Sequence, residues 1–123
     1  MKPAGLAEIA EFFFRARGRI GRQEYLLGLG FIYAVNAALL SFALHQADPD
    51  LALGLVIMLT TFPSTVGVFM VTAKRCHDMG LSGAFVLVLV VPLFGLICMA
   101  ILAIAAGNPG PNPYGPPPRF GPD

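Results

Sequence analysis

Long stretches without a charged residue constrain this chain more than any other feature. Every Asp, Glu, Lys and Arg lies outside three tracts, residues 25–47, 51–73 and 79–118. The first two tracts, and residues 83–106 of the third, are dense in Leu, Val, Ile, Phe and Ala. A bilayer core about 30 Å thick is crossed by about 20 apolar helical residues, so each stretch is long enough. The pattern predicts an all-α membrane protein with three transmembrane helices, at about residues 25–44, 51–73 and 83–106.

The composition supports a membrane protein rather than a soluble domain. Of the 123 residues, 56% are hydrophobic and 12% are charged, and the charged fraction is about half that of soluble domains. The net charge of +1 gives no indication of nucleic-acid binding. We divide the chain into an interfacial segment (1–24), a transmembrane domain (25–106) and a tail rich in Pro and Gly (107–123).

The interfacial segment combines an apolar face with a basic patch. Leu6, Ile9 and Phe13 recur at helical spacing, which predicts a short amphipathic helix lying in the headgroup region. Four cations follow within eight residues: Arg15, Arg17, Arg19 and Arg22. Such a patch either only sets the orientation of the protein or binds anionic lipid headgroups or a partner.

The distribution of charge also predicts the orientation. The arginines and the Lys74-Arg75 pair flank the first two spans at one end, whereas Asp48 and Asp50 lie between them. The positive-inside rule therefore places the N-terminus in the cytoplasm. Three crossings would put the tail on the outer side. A re-entrant segment around Pro92 would instead return it to the cytoplasmic side.

Arg75, His77 and Asp78 form the tightest cluster of groups that could carry chemistry. A carboxylate beside an imidazole suits proton handling, but Asp78 could equally pair with Arg75 in a structural role. Glu24, at the matching end of the first span, is predicted to pair with Arg75. The sequence contains no metal-ligand pattern and no nucleotide-binding motif, so we predict no catalytic, cofactor or metal site.

Polar residues within the spans allow a different function. Asn36 is the strongly polar side chain near the middle of the first span, and residues 60–65 of the second contain hydroxyls around Pro63. These groups are typical of helix packing and of a proline kink. They could also line a pathway.

Three separated motifs carry a family resemblance. They are Gly-Arg-Ile-Gly-Arg-Gln-Glu-Tyr (18–25), Arg-Cys-His-Asp-Met-Gly-Leu-Ser-Gly (75–83) and Gly-Asn-Pro-Gly-Pro-Asn-Pro-Tyr-Gly (107–115). In this order, with apolar spans between them, they resemble the family called domain of unknown function 805. The resemblance implies a multi-pass protein of the bacterial inner (plasma) membrane and names no reaction. The candidate lipid-binding, partner-binding or structural cluster is Arg19, Arg22, Glu24, Arg75, His77 and Asp78. The candidate tail motif is Gly107, Gly110, Asn112, Tyr114 and Gly115.

The function predicted from the sequence is a non-enzymatic interaction module. Its basic cytoplasmic face would bind anionic lipid headgroups or a partner protein, and the chain could form a homo-oligomer. The alternative is a small transporter or channel subunit acting as an oligomer. A third possibility is an intramembrane enzyme that uses His77 and Asp78.

Overall fold

A computed structural model of the chain describes residues 5–14 and 18–116. The helical elements, in chain order, are α1 (Leu6–Phe14), α2 (Arg22–Leu44), α3 (Pro49–Asp78), a 3₁₀ helix (Gly83–Val90) and α4 (Pro92–Ile104). Within the described ranges, β pairing is limited to one isolated bridge between Asn112 and Gly115. The chain is therefore all-helical, as the hydropathy pattern predicts.

Helices α2 and α3 form a long antiparallel pair. Asp48 caps α3 by accepting a hydrogen bond from the Leu51 amide at 3.1 Å, and Pro49 occupies the first turn, where no N–H is needed. The α3 helix continues through Pro63 to Asp78. At 1.5 Å per residue the two helices are about 35 and 45 Å long, which is enough to cross a bilayer.

The outer surfaces of α2 and α3 suit lipid rather than water. In the most apolar stretch of each helix, only 17% and 6% of the residues are buried inside the protein. Large side chains such as Leu27 and Phe62 are 73% and 77% exposed. Exposing contiguous apolar faces of this size to water would be unfavourable, so both helices are candidates for membrane spans.

The third predicted span is not one helix. The 3₁₀ helix of eight residues and α4 of thirteen residues are about 16 and 20 Å long, and each is too short for a bilayer core of about 30 Å. Pro92 begins α4 because its ring cannot continue the preceding helical turn. The 3₁₀ helix begins beside His77, whose Nε2 would lie 3.2 Å from a Cβ added at Gly83. The end of α4 returns to Arg75, which donates to the Leu102 carbonyl oxygen, so the two segments form a hairpin. The sequence predicts one span over residues 83–106, kinked at Pro92, and the structure instead has two shorter helical segments that meet there.

This hairpin returns the chain to the end of the bundle from which it left. The Asn108 amide donates to the Asp78 carbonyl oxygen at 2.8 Å, and Arg19 donates to the Gly110 carbonyl oxygen at 2.7 Å. The tail therefore lies at the same end as Arg19 and the end of α3. This placement corrects the three-crossing prediction, which put the tail at the opposite end.

The N-terminal amphipathic helix is present as α1, and it packs against protein. The Phe12 ring lies over Gly28, where an added Cβ would approach it to 2.9 Å. Phe13 stacks on Phe31 with ring centroids 5.2 Å apart. Leu6 and Phe14 stay exposed, so one side of α1 is partly covered by α2 and α3 and another side is open.

Candidate functional site

The fold gathers most of the predicted site residues at one end of the bundle. We call this the arginine end and define it by Arg19, Arg75, Asp78 and tail residues 107–116. Two guanidinium groups bracket the Asp78 carboxylate. Arg19 approaches Oδ1 with Nε at 3.1 Å and Nη2 at 3.0 Å, and Arg75 Nη1 pairs with Oδ2. The three side chains are at most 3% exposed.

The last turn of α3 positions two members of this network. Arg75 and Asp78 are three residues apart and so lie on one face of the helix. A Schellman motif then ends the helix. Leu81 N donates to the Cys76 carbonyl oxygen at 2.8 Å, and Gly80 N donates to that of His77 at 3.0 Å. Gly80 has φ +76°, a left-handed conformation that favours glycine.

Arginine side chains also donate hydrogen bonds to the carbonyl oxygens at the end of α4. Arg75 donates from Nε to the Leu102 carbonyl oxygen at 2.7 Å and from Nη2 to that of Ala105. Arg22 donates to the Ile104 carbonyl oxygen at 2.9 Å. Carbonyls of the last helical turn lack intrahelical partners and carry partial negative charge, so cations stabilise them. The two arginines therefore anchor the returning hairpin.

Arg19 holds the tail in the same way. Its Nη1 donates to the Gly110 and Gly115 carbonyl oxygens at 2.7 and 3.2 Å. Its Nη2 donates to the Asn108 carbonyl oxygen at 2.6 Å. One guanidinium group thus joins Asp78 to three backbone positions of the tail, and the planar fork of five donors suits this arrangement.

A tight turn in the tail completes the site. Asn112 and Gly115 exchange backbone hydrogen bonds at 3.0 and 2.9 Å, and Gly115 has φ +126°. The Asn112 side chain donates to the His77 carbonyl oxygen at 2.8 Å and accepts from the Tyr114 amide at 2.9 Å. The Tyr114 ring stacks on the His77 imidazole with centroids 4.1 Å apart.

Two glycines permit the close approach of the tail. A Cβ at Gly107 would overlap the Asp78 carboxylate, and one at Gly80 would lie 2.7 Å from Asn108 Nδ2. Gly80 of the second sequence motif and Gly107 of the third therefore have a shared steric reason. Each makes room for a polar group of the other motif.

The burial of two arginines corrects part of the prediction of an exposed basic face. The Arg19 and Arg75 side chains are 1% and 0% exposed, so they do not face lipid headgroups. Arg22 is partly exposed and is the described arginine that remains accessible. Arg15 and Arg17, which complete the predicted patch, lie outside the described residues.

The remaining two members of the predicted cluster have different surroundings. His77 Nδ1 lies 3.0 Å from the Gly18 carbonyl oxygen, a distance that requires the proton on Nδ1. The imidazole is thus engaged by Gly18 and Tyr114 rather than by Asp78. Glu24 lies near enough to Lys74 for an electrostatic interaction. Its pairing with Arg75 stays a prediction.

Sequence reasoning did not assign three further residues of this region to the site. Asn108 contributes backbone contacts to both Asp78 and Arg19. Lys74, which is 5% exposed, donates to the Phe12 carbonyl oxygen and lies 4.2 Å from the centroid of the Phe12 ring. The Tyr25 hydroxyl lies 3.2 Å from Thr72 Oγ1 in the core. Asn108 stands within the third motif, and that position was the available signal for it.

Polar groups within the spans are mostly satisfied by their own helix. Thr60, Thr61 and Thr65 each donate to the carbonyl oxygen four residues earlier, at 2.6–2.7 Å. Asn36 instead bridges α2 and α3, with Nδ2 2.9 Å from Ser64 Oγ. In the part of the chain that the structure describes, no three His, Cys, Asp or Glu side chains are grouped as metal ligands would be.

Comparison with known proteins agrees with this arrangement of motifs. The model of the family described as "Protein of unknown function (DUF805)" matches residues 13–116, a range that includes all three motifs. The chain belongs to this family. It is an integral membrane protein, and its similarity extends to "Inner membrane protein YhaI" of Escherichia coli strain K12 and of strain O157:H7. Each is 31% identical over 104 residues, which cover 85% of this chain and 86% of the relative. No solved structure matches the chain.

Proposed function

We propose that this DUF805 protein is a non-enzymatic, multi-pass inner-membrane protein whose arginine end acts as an interaction module. The observation that carries the proposal is the enclosed Arg19–Asp78–Arg75 network, which binds the tail and the end of α4 into one unit. Both carboxylate oxygens of Asp78 are occupied by guanidinium groups. The network therefore suits a structural support for a surface better than a reacting centre.

The proposed topology has two crossings and one re-entrant hairpin. Helices α2 and α3 cross the membrane, and the 3₁₀ helix and α4 enter and leave from the arginine end. Arg19, Arg22, Lys74 and Arg75 lie at that end, whereas Asp48 and Asp50 lie in the connection between the two crossings. The positive-inside rule then favours a cytoplasmic arginine end, with the N-terminus on the same side.

The partner that we propose for the arginine end is an anionic lipid headgroup. Arg22 is partly exposed beside the end of α4, and the sequence adds Arg15 and Arg17 a few residues earlier. A cation near an anionic membrane surface contributes about 1 kcal/mol, or roughly fivefold in affinity. A membrane-protein partner or a second copy of the chain is the other possible occupant of this surface.

Reconstitution of the full chain tests this proposal. Nanodiscs with increasing fractions of an anionic phospholipid should enrich that lipid around the wild-type protein, as measured by native mass spectrometry after mild extraction. Arg22→Gln should reduce the enrichment about fivefold, and Gln23→Ala, a neighbouring exposed position, should leave it unchanged. Equal retention of neutral and anionic lipids by the wild type would contradict the lipid assignment. Copurification of a stoichiometric protein would then indicate a protein partner.

A small transporter or channel subunit acting as an oligomer is the second candidate function. A cavity of about 460 Å³ that includes Asn36 and Ser64 favours it. The back-bonded threonines weigh against a continuous polar pathway, because their hydroxyl protons are already used. Solute flux into proteoliposomes that is lost with Asn36→Leu and retained with Leu59→Phe would support this function over the first.

A further inference from the structure

The cavity at the middle of α2 and α3 has features that the interaction module does not use. It measures about 460 Å³ and lies between these helices and the hairpin, with Leu89 and Pro92 on its far wall. This volume falls within the range of about 300–1,000 Å³ that is usual for small-molecule sites. Asn36 and Ser64, which line it, stand close to the midpoints of α2 and α3. The cavity is therefore at the depth of the lipid tails.

The hydrogen bonds of the Asn36 side chain determine what it presents to the cavity. Both of its N–H groups are used, since Nδ2 donates to the Ile32 carbonyl oxygen at 2.8 Å and to Ser64 Oγ at 2.9 Å. This orientation of the amide is required because the Ile32 carbonyl oxygen can only accept. The side-chain oxygen Oδ1 is left as an acceptor. Among residues 5–14 and 18–116 it receives no hydrogen bond.

Ser64 complements this acceptor with a donor. Its Oγ accepts from Asn36, and within the described part of the chain its own proton has no acceptor. The pair thus offers one acceptor and one donor, side by side, to a cavity at the depth of the lipid tails. Such groups are costly to leave unsatisfied in hydrocarbon, because no bulk water is present at that depth.

We propose that this cavity binds the hydroxyl group of a long-chain alcohol. A hydroxyl can donate to Asn36 Oδ1 and accept from Ser64 Oγ at the same time. The hydrocarbon chain would then lie against Val68, Leu96 and Met99, which also line the cavity. No residue of the arginine end lines this cavity, so the site is independent of the headgroup surface proposed above.

The composition of the cavity selects an alcohol over other lipid groups. No Asp, Glu, Lys or Arg is among its lining residues, so a carboxylate, phosphate or ammonium group would be buried there without a partner of opposite charge. An ether or ester oxygen accepts hydrogen bonds but donates none, and it would leave Asn36 Oδ1 unsatisfied. An alkane would satisfy neither group.

The test uses the full chain in nanodiscs of neutral phospholipid. The probes are hexadecanol carrying a photoreactive diazirine on its chain and the methyl ether of the same molecule. The alcohol should give saturable labelling of cavity-lining residues, mapped by mass spectrometry. It should bind about tenfold more tightly than the ether, the change expected from a net gain of one or two hydrogen bonds.

Three variants distinguish binding in the cavity from general contact of the probes with the lipid-facing surface. Asn36→Leu should reduce the preference for alcohol over ether from about tenfold to near unity. That change also removes the hydrogen bond between α2 and α3. Val68→Phe therefore serves as a second, independent test of the cavity. It fills the cavity, leaves the Asn36–Ser64 pair in place, and should abolish saturable labelling by both probes. Leu59→Phe, on the lipid-facing side of the same helix at 67% exposure, should change nothing.

Two results would overturn the proposal. One is equal affinity of the wild type for the alcohol and the ether. The other is saturable labelling that Val68→Phe does not reduce. Loss of protein dimers in Val68→Phe, without any alcohol-specific labelling of the wild type, would assign the cavity to a second copy of the chain. Because the nanodiscs contain only neutral phospholipid, binding of anionic headgroups at the arginine end cannot affect these results.

Discussion

Two guanidinium groups meet one carboxylate at Asp78, and all three side chains are nearly inaccessible. A buried charge that loses its partner retains its desolvation cost without compensation. The hydrogen bonds of Arg19 and Arg75 to tail and helix carbonyls add to the loss, because they depend on the same positions of the guanidinium groups. Single changes in this network should therefore have larger effects than changes at exposed charges.

Asp78→Asn is expected to destabilise the protein strongly. The substitution removes the buried carboxylate that Arg19 and Arg75 share, and breaking a buried pair of this kind costs about 3–5 kcal/mol. Thermal unfolding in mild detergent can follow the loss, with a thiol-reactive dye reporting exposure of Cys76, which is 2% exposed in the folded protein. Asp50→Asn, at an exposed position in the first turn of α3, is the matched control. Similar unfolding temperatures for the two variants would contradict the network.

Gly107→Ala should also destabilise the protein, for a steric reason. Its Cβ would overlap the Asp78 carboxylate, whereas a Cβ at Gly110 would meet nothing within 4 Å. The tail would have to move away from Asp78, and the contacts that Arg19 makes with the tail would be lost. We expect a clear drop in unfolding temperature for Gly107→Ala and a small change for Gly110→Ala. The same dye assay measures both, and a reversed order would disprove the close approach.

Tail residues 107–116 are an ordered element despite their high content of Pro and Gly. Their conformation depends on side chains of other elements, chiefly Arg19 and His77, and on the turn between Asn112 and Gly115. The hairpin of the 3₁₀ helix and α4 shows a similar dependence. Its end is capped by Arg22 and Arg75 rather than by residues of its own. Both elements should loosen locally when these contacts are removed.

Asn112→Ala is expected to release the tail without unfolding α2 and α3. It removes two hydrogen bonds, to the His77 carbonyl oxygen and from the Tyr114 amide, each contributing about 1 kcal/mol. Hydrogen exchange of tail amides should accelerate by at least tenfold, while the amides in the middle of α2 and α3 keep their protection. Pro113→Ala, at an exposed neighbouring position, should leave the exchange of the tail unchanged. Faster exchange throughout both long helices would indicate global destabilisation instead.

The molecule as a whole has two long apolar helices and a hairpin that does not reach the far side. This arrangement requires that the N-terminal segment and the tail share one end of the bundle, since Arg19 contacts both Asp78 and Gly110. A third crossing would separate them by the thickness of the bilayer. Topology is therefore the most direct test of the fold.

A reporter fused after Asp123 should lie on the same side of the membrane as one fused to the N-terminus. If that side is cytoplasmic, a fluorescent protein at either terminus will be bright and alkaline phosphatase will be inactive. A phosphatase inserted in the connection between α2 and α3, after Gln46, should be active. An active phosphatase after Asp123 would restore the three-crossing topology and would be incompatible with the contacts of the tail.

The sequence by itself determined the membrane class and the two long helices. Hydropathy acts locally along the chain, so charge-free tracts of sufficient length predict spans without knowledge of their neighbours. The pair Arg75–Asp78 was also predictable, because helical geometry fixes residues three apart on one face. Asn36 and Pro63 were recognisable as special positions for similarly local reasons.

Only the tertiary structure decided how these parts meet. Pro92 permits either a kinked crossing or a turn, and the choice depends on the packing of Gly95 against Leu89 and on arginines that cap α4 from other elements. Arg19 and Asp78 are 59 positions apart, and no periodicity connects them. Burial changed Arg19 from a predicted lipid contact into the anchor of the tail, because a guanidinium group that finds an anion and several carbonyls gains more from them than from headgroups.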